Sequence, residues 1–214
     1  SLHVFHISTS IGGQLVAKAH EAGMAVTGTT GAQYLLVTAE QAHAAKQNRF
    51  KINPSIKDDA NRQGLRRLVA EGRLQGIGTD HAPHPLEDKD RPYGKAPSGF
   101  PSIDLLLPLI FAVADESDIE LEVALNAVTR MPADEFGLLS KGRLVIGADA
   151  DLVALDPKVG KLVDESTLPS KSKWSPFHGQ RLRGFPEQVW LRGTLVFNQG
   201  FFPIKPSGKP LLAP

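Results

Sequence analysis

The stretch GIGTDHAPH, residues 76–84, places one aspartate and two histidines directly after a short apolar run. Carboxylate and imidazole side chains in such a position can bind a metal ion or carry protons during a hydrolysis. Active sites of parallel α/β folds lie at the carboxyl ends of their strands, and Asp80 is predicted to be the last residue of its strand. An aspartate before a turn can also cap a helix or form the turn itself, so the spacing alone leaves both roles open.

A second group able to bind a metal lies in HVFHIST, residues 3–9. Side chains alternate faces along a strand, so His3 and His6 are predicted to point to opposite sides. His6 is the better ligand candidate because it lies nearer the carboxyl end of the strand. A single strand histidine is more often a hydrogen-bonded core residue, but His6 and Asp80 at one mouth would make a partial metal site.

Catalytic zinc needs three protein ligands and an open position, which this pair alone does not provide. Three other histidines are poor candidates because they are predicted to lie in helices or in the β-rich part of the chain: His20, His43 and His178. His81 is expected to be structural, since a residue next to a ligand normally points elsewhere. The sequence opens at Ser1 within a strand-like segment, so we expect the missing ligands upstream, in a longer gene product.

Composition limits the function classes. The 214 residues are 41% hydrophobic, which is enough for a sizeable core, and 24 basic residues balance 23 acidic ones. This near-neutral charge disfavours a general nucleic-acid surface, and the absence of cysteine excludes disulfides and thiolate metal sites. No apolar run approaches the roughly 20 residues of a membrane span, so we expect a cytoplasmic protein without a membrane partner.

Apolar strands alternate with amphipathic helices over the first part of the chain. Strands are predicted at 2–7, 24–29 and 74–80. One helix is predicted to have Ser10 as its N-cap and to run to Ala22, and a second to have Asp58 or Asp59 as its N-cap and to end at Gly72. The first helix is predicted to bury three apolar residues: Leu15, Val16 and Ala19. This order is typical of βα units around a parallel sheet and predicts an α/β fold.

After residue 84 the alternation of strands and helices gives way first to a polar loop and later to short β segments. Residues 85–101 form a polar loop rich in proline and glycine, and loops of this length are usually functional or disordered. Two further helices are predicted at 103–114 and 119–128. Short β segments follow, so we place a domain boundary between an α/β part, 1–139, and a small antiparallel β domain with an irregular tail, 140–214.

Several motifs together resemble one known family, and they cover nearly the whole chain in the family's order: HVFHIST, KINPSIKDDANRQGLRRLVAEGRLQGIGTDHAPH, KAPSGFPSIDLLLPL, MPADEFGL, KGRLVIGADADLVALD and SKSKWSPFHGQRLRG. The chain resembles the C-terminal half of the dihydroorotases, within the cyclic amidohydrolases that also include hydantoinases and allantoinases. DHAPH followed by APSG is the most specific match.

The resemblance implies the C-terminal part of a (β/α)8 TIM-like barrel of a metal-dependent hydrolase, with a small β domain and a binuclear zinc site at the barrel mouth. The visible strands would be the sixth, seventh and eighth. His6 would match the sixth-strand zinc ligand. Asp80 would match the eighth-strand aspartate, which binds a zinc ion and serves as the catalytic general base and then acid.

The resemblance also implies which residues bind the substrate, from their positions in the matching motifs. Asn53 and His84 match residues that bind the substrate ring and its carboxylate, and the backbone at Ala96, Pro97 and Gly99 would hydrogen-bond the ring edge. Taken alone, Asn53 could be a turn former and His84 a solvated side chain.

The chain departs from the family pattern in two ways. The family's His-x-His pair, its bridging lysine or aspartate and its fifth-strand histidine have no counterpart here. In VTGTTGAQYLL, three residues replace the commoner acidic residue and proline pair: Thr29, Ala32 and Gln33. The second departure touches no residue expected to do chemistry.

The implied function is interconversion of N-carbamoyl-L-aspartate and (S)-dihydroorotate in pyrimidine biosynthesis, with this small molecule as the partner and no nucleic acid. One alternative is a hydantoinase, dihydropyrimidinase or allantoinase; Asn53 and His84 favour an anionic ring. Another is a non-catalytic subunit that supports aspartate transcarbamoylase; the presence of His6 and Asp80 favours a working site. A homodimer or a transcarbamoylase association is expected for the assembly.

Overall fold

A parallel three-stranded sheet lies at the centre of the first part of the chain. The computed structural model describes residues 1–45, 48–205 and 207–211. Strands β1 (Leu2–Val4), β2 (Val26–Gly31) and β3 (Gly76–Gly78) pair in the order β1-β2-β3, and both pairings are parallel. Helices connect the strands, so the predicted α/β class is confirmed.

Helix α1 (Ser10–Glu21) connects β1 to β2. It begins one residue earlier than predicted, because the Thr9 side chain is the N-cap and accepts a hydrogen bond from the Gly12 N–H at 3.2 Å. Its buried face carries Gly13, Val16 and Ala17. The prediction that Leu15 faces inward was wrong, since that side chain is 63% exposed.

Among the described residues between β2 and β3, the chain forms the α-helices α2 (Ala32–Leu36), α3 (Ala39–Ala44) and α4 (Asp59–Ala70). The Asp58 carboxylate caps α4 by accepting from the Asn61 N–H at 3.0 Å, as the sequence predicts. The buried face of α4 packs against α1 and α2, which places α1 and α4 side by side.

Four more helices follow the sheet: α5 (Leu86–Lys89), α6 (Leu106–Asp115), α7 (Leu121–Asn126) and α8 (Arg130–Glu135). Helix α6 is preceded by a 3₁₀ turn at Ile103–Leu105 and is buried along most of its length. The polar loop predicted at 85–101 therefore contains one short helix. In the described ranges, no helix is both long and apolar enough to cross a membrane.

The last part of the chain is antiparallel, as predicted. Strands β4 (Leu152–Ala154), β7 (Gln188–Leu191) and β8 (Thr194–Asn198) form one sheet, and β5 (Gly160–Leu162) pairs with β6 (Arg181–Arg183). Five residues between β5 and the end of β6 join the same hydrophobic core as the parallel sheet: Val163, Leu168, Trp174, Phe177 and Leu182. The two predicted parts of the chain are thus packed together, and the boundary after residue 139 stays a prediction.

Close packing of α1 on α4 predicts the effect of Gly64→Ala. Alanine normally favours a helix over glycine by about 1 kcal/mol. A Cβ at Gly64 would lie 2.1 Å from Ser10 Oγ, and the Ser10 N–H also donates to Asn61 Oδ1 at 2.9 Å, which holds the two helices together. We therefore expect Gly64→Ala to lower the free energy of unfolding by about 1–3 kcal/mol, measured by urea denaturation.

The matched control removes the obstructing side chain. Ser10→Gly combined with Gly64→Ala should be more stable than the sum of the two single changes predicts, because the clash is then absent. A Gly64→Ala protein at least as stable as the unmodified one would contradict this packing.

Candidate active site at the carboxyl ends of the parallel strands

Two candidate ligands lie just beyond the strands, not within them. The sequence predicts strands through Ile7 and Asp80, but β1 ends at Val4 and β3 at Gly78. His6 has φ 47° and Asp80 has φ 49°, both in the left-handed region that is uncommon for residues other than glycine. The strand alternation used to choose between His3 and His6 therefore does not apply at His6, because the chain has already left the sheet.

The charge of His6 acts on the Asp80 carboxylate. Burial raises the pKa of the Asp80 carboxyl above its usual range, and the nearby positive charge of His6 opposes that rise in pKa. Neither side chain has a hydrogen-bond partner among the residues that the structure describes. The pair offers a metal ion one imidazole nitrogen and one carboxylate. Within the described ranges, no cluster of three or more metal-binding side chains occurs.

His3 is occupied by hydrogen bonds across the sheet. Its Nδ1 lies 2.9 Å from Thr27 Oγ1, and its Nε2 lies 3.3 Å from Thr29 Oγ1. The Thr27 hydroxyl donates to Glu135 Oε1 at 2.6 Å, so toward His3 it can only accept. His3 Nδ1 therefore carries the proton, and His3 is a core histidine with both nitrogens engaged.

The predicted substrate residue Asn53 is exposed and has no hydrogen bond to the described residues. The residue after it is held in place by Tyr34, whose hydroxyl donates to the Pro54 carbonyl oxygen at 2.8 Å. Burial raises the Tyr34 pKa, and the negative charge of Asp80 raises that pKa further. Tyr34, which the sequence analysis did not single out, thus links the Asn53 segment to the surroundings of Asp80.

His84 is anchored at both its ring and its main chain. Its Nε2 lies 3.1 Å from the Ser98 carbonyl oxygen, which can only accept, so Nε2 carries a proton and Nδ1 faces no described partner. The His84 carbonyl oxygen accepts a hydrogen bond from the buried indole Nε1 of Trp174 at 2.7 Å. His81, by contrast, has a structural role: its Nδ1 accepts from the N–H groups of Ser102 and Ile103, both at 3.1 Å.

The loop 96–99 already uses most of its backbone donors. The Ala96 N–H donates to Pro92 at 3.0 Å, and the Gly99 N–H donates to Lys51 at 2.9 Å. Proline has no N–H, so the Ser98 N–H is the loop donor that faces no described partner. A substrate ring at this loop could therefore accept a hydrogen bond from the Ser98 N–H, or donate one to the second lone pair of a loop carbonyl oxygen. The motif alone did not indicate these groups.

Two lysines hold this loop through its carbonyl groups. Lys89 is completely buried, and its Nζ donates to the carbonyl oxygens of Lys51 at 3.0 Å, Pro97 at 3.0 Å and Gly99 at 2.8 Å. Burial lowers the Lys89 pKa to about 8, and the positive charge of Lys51 adds to the effect. The Lys51 ammonium in turn donates to the carbonyl of Ala96.

Close backbone approach fixes the end of the loop. Gly99 has φ 121°, and a Cβ there would lie 2.5 Å from the Cβ of Ala82 in the DHAPH turn. Any residue other than glycine would push the loop away from that turn. The loop 96–99, the DHAPH turn and the segment 51–53 therefore meet at one place.

A cleft of about 740 Å³ borders this region. His81, His84 and Asp104 line one side, and residues 169–172 line the other. Neither His6 nor Asp80 contributes to its walls. The cleft therefore lies beside the pair of candidate ligands, with His84 at its edge.

Comparison with known proteins identifies what this arrangement is similar to. The amidohydrolase family model matches residues 14–196. The chain is 33% identical to a dihydroorotase from Geobacillus thermodenitrificans over 92% of this chain and 46% of that protein. It is 36% identical to a dihydroorotase from Halobacterium salinarum over 69% of this chain and 35% of that protein. The chain thus spans less than half the length of these curated relatives.

Solved structures of related enzymes share the fold. An L-hydantoinase (dihydropyrimidinase) from Arthrobacter aurescens superposes with a TM-score of 0.88 at 30% identity, over 95% of this chain and 46% of that one. A dihydropyrimidinase from Brevibacillus agri superposes with a TM-score of 0.86 at 27% identity, over 95% and 46% respectively. The strand end that carries Asp80 falls within the residues matched by the family model, whereas His6 precedes them.

The buried ammonium of Lys89 predicts a pH dependence of stability. Its pKa is about 8 in the folded protein and 10.5 when unperturbed, so between these values the unfolded chain binds more protons and stability rises with pH. Compared with Lys89→Met, the unmodified protein should gain roughly 1–3 kcal/mol in unfolding free energy between about pH 8 and 10.5. Urea denaturation of both proteins across this range measures the difference, and parallel stability curves would contradict the lowered pKa.

Proposed function

Because the chain belongs to the amidohydrolase family, we propose that the protein containing it is a dihydroorotase, a zinc-dependent enzyme that interconverts N-carbamoyl-L-aspartate and (S)-dihydroorotate. The observation that carries this proposal is the position of His6 and Asp80 just beyond two parallel strands of one sheet, in a chain 33% identical to a dihydroorotase over 92% of its length. The chain spans less than half of those relatives, so the activity is proposed for the whole protein.

The family implies a metal cofactor, and the two side chains fit one. Imidazole nitrogen and carboxylate oxygen are zinc ligands, and both groups lack other partners among the described residues. We assign His6 to one of two zinc ions and Asp80 to the other. When bound, zinc supplies the Lewis acidity that makes a water molecule nucleophilic near neutral pH and polarises the amide carbonyl.

Asp80 would carry the proton through the reaction. In ring opening, a water oxygen attacks the ring amide carbonyl carbon while the Asp80 carboxylate accepts a water proton. The bond between that carbon and the ring nitrogen then breaks, and Asp80 returns the proton to the leaving nitrogen. Ring closure uses the same steps in reverse, so one carboxylate acts as base and acid in turn.

Asn53 and His84 would recognise the substrate. Asn53 offers an exposed amide to the ring, and His84 can bind the ring carboxylate through Nδ1 when both nitrogens carry protons, because Nε2 already donates to Ser98. Ala96, Pro97 and Gly99 would contact the ring edge through their backbone. The resulting requirement for a negatively charged ring is the feature that separates dihydroorotate from neutral cyclic amides.

For the fold of the whole protein we propose a (β/α)8 barrel in which β1, β2 and β3 are the sixth, seventh and eighth strands. In this arrangement, residues 1–139 contribute the C-terminal part of the barrel and 140–214 contribute to a small β domain. The parallel order β1-β2-β3 supports this arrangement, because consecutive barrel strands are neighbours. A cytoplasmic location and a homodimer, or an association with aspartate transcarbamoylase, complete the proposal.

A second candidate activity is hydrolysis of a neutral ring, as in hydantoinases and dihydropyrimidinases. It is favoured by the superposition on the Arthrobacter aurescens L-hydantoinase with a TM-score of 0.88. Asn53 and His84 favour dihydroorotate instead. A non-catalytic supporting subunit is the third candidate, and the presence of both His6 and Asp80 argues against it.

Ring opening of dihydroorotate, hydantoin, dihydrouracil and allantoin by the full-length protein distinguishes these candidates. We expect turnover of dihydroorotate, with a kcat/KM for each neutral ring lower by about tenfold or more, because each lacks the carboxylate that His84 binds. Turnover of a neutral ring alone would contradict the dihydroorotase proposal. Metal analysis of the same preparation should give two zinc ions per chain, whereas a metal-free protein would support the scaffold role.

Asp80→Asn tests the assigned proton transfer. The amide is nearly the same size but cannot accept and return a proton, so kcat should fall by about 10³-fold or more while the melting temperature changes little. Matched against it, Asp156→Asn changes an exposed carboxylate in the antiparallel part of the chain, where it accepts a hydrogen bond from the Lys158 N–H at 2.8 Å. Turnover of Asp80→Asn close to that of the unmodified protein would contradict the role of Asp80.

A further inference from the structure

The ammonium group of Lys89 joins two segments that the proposed function places against the substrate. One is the segment from Lys51 to Asn53, and the other is the loop from Ala96 to Gly99. Lys89 contacts the first through the Lys51 carbonyl and the second through the carbonyls of Pro97 and Gly99. Its own main-chain oxygen accepts from Asn48 Nδ2 at 2.9 Å, so the lysine is fixed at both ends.

We propose that Lys89 is a positioning residue for substrate binding, whose buried ammonium fixes the loop 96–99 against the segment that carries Asn53. This inference rests on the proposed function, because it assumes that these two segments bind the substrate. Lys89 itself does not touch the reacting atoms.

The chemistry of the contact supports a positioning role. An ammonium has three N–H donors, and all three of Lys89 are used on main-chain carbonyl oxygens from separate parts of the chain. A charged group without a carboxylate partner is costly to bury, and here three peptide dipoles and the face of one aromatic ring offset that cost. A methionine of similar shape would fill the same space, so packing alone does not require the charge.

Because a peptide unit is planar, the contact of Lys89 with the Pro97 carbonyl also fixes the direction of the Ser98 N–H. The Pro97 carbonyl and the Ser98 N–H belong to one planar trans peptide and point in opposite directions. By holding the Pro97 oxygen, Lys89 therefore directs the Ser98 N–H away from itself. The Gly99 N–H donates to Lys51, so the next peptide is fixed as well and the loop has one defined geometry.

One aromatic ring lies beside the Lys89 ammonium, which is completely buried. The Lys89 Nζ lies 5.9 Å from the centre of the fully buried Trp174 ring, which also donates to the His84 carbonyl. The same indole thus contacts the group that holds the loop and the residue proposed to bind the substrate carboxylate. Displacement of Lys89 would therefore change the positions of both His84 and the loop 96–99.

The test is Lys89→Met in the full-length protein. Without the ammonium, the loop should lose its fixed position, so the KM for dihydroorotate should rise by about tenfold or more while kcat stays within about threefold. Zinc content should not change. Hydrogen exchange of the amides in 96–100 should become faster, whereas exchange in α1 and α4 should stay the same.

The matched control is Lys95→Met. Lys95 is an exposed lysine of the same loop, so its replacement removes an equal charge without removing the contacts to the carbonyls. This variant should keep the KM and the exchange rates of the unmodified protein. If Lys89→Met does not accumulate in folded form, Lys89→Gln replaces it: its amide has two N–H donors instead of three and no charge, so at least one of the three carbonyl contacts is lost.

Three results separate the possibilities. A folded Lys89 variant with unchanged KM would overturn the positioning role, whether or not loop exchange becomes faster. A loss of zinc together with a fall in kcat would show that Lys89 supports the metal site and would also overturn it. An unmodified protein that turns over no cyclic amide would overturn the proposed function, and this inference with it.

Discussion

The candidate site depends on how the chain leaves the parallel sheet. At both His6 and Asp80 the backbone takes a left-handed conformation just after a strand, which costs about 1–2 kcal/mol for a residue with a side chain. Neighbouring contacts offset that cost: the Ile7 N–H returns to the Thr29 carbonyl, and the Ala82 N–H binds Phe100. The exits are thereby fixed, and each turns the side chain of a proposed metal ligand out of the hydrogen-bonded ladder.

The surroundings of the site are built from main-chain carbonyl groups held by buried donors. Lys89 binds three carbonyls, Tyr34 binds Pro54, and Trp174 binds His84. Each donor comes from a different part of the chain from its acceptor. Segments without regular secondary structure thus gain rigidity that their own sequence does not provide, which a binding site on loops requires.

Local patterns were sufficient for part of the fold. The alternation of strands and helices predicted the α/β class, Asp58 was predicted as a helix cap, and antiparallel strands were predicted in the last part of the chain. The strand ends were misplaced, because nothing local in HVFHIST or GIGTDHAPH reveals a left-handed exit. The inward face of α1 was predicted only in part: Val16 is buried as expected, but Leu15 is exposed. Gly13 is buried where α4 approaches closely, so a residue without a side chain marks the contact.

The candidate ligands could be chosen from the sequence, whereas their support could not. Lys89 belongs to the charged run LEDKDR, which is typical of a solvated surface, yet its side chain is fully buried. Its three acceptors are main-chain oxygens. Every residue type has such an oxygen, so the sequence does not reveal these contacts. Trp174 is apolar and would be assigned to the core on its type alone, with no indication that its N–H reaches His84.

The hydrogen bond from Trp174 to His84 joins residues 90 positions apart, so it can form only after both residues have been synthesised. The DHAPH turn leaves the ribosome well before the indole that completes it, and the aromatic cluster of Phe50, Phe100 and Phe177 has the same delay. A nascent chain paused between residues 100 and 174 would therefore expose a histidine carbonyl and two phenylalanine rings to solvent. The site matures late in translation, and chaperones that protect apolar surface would act in that interval.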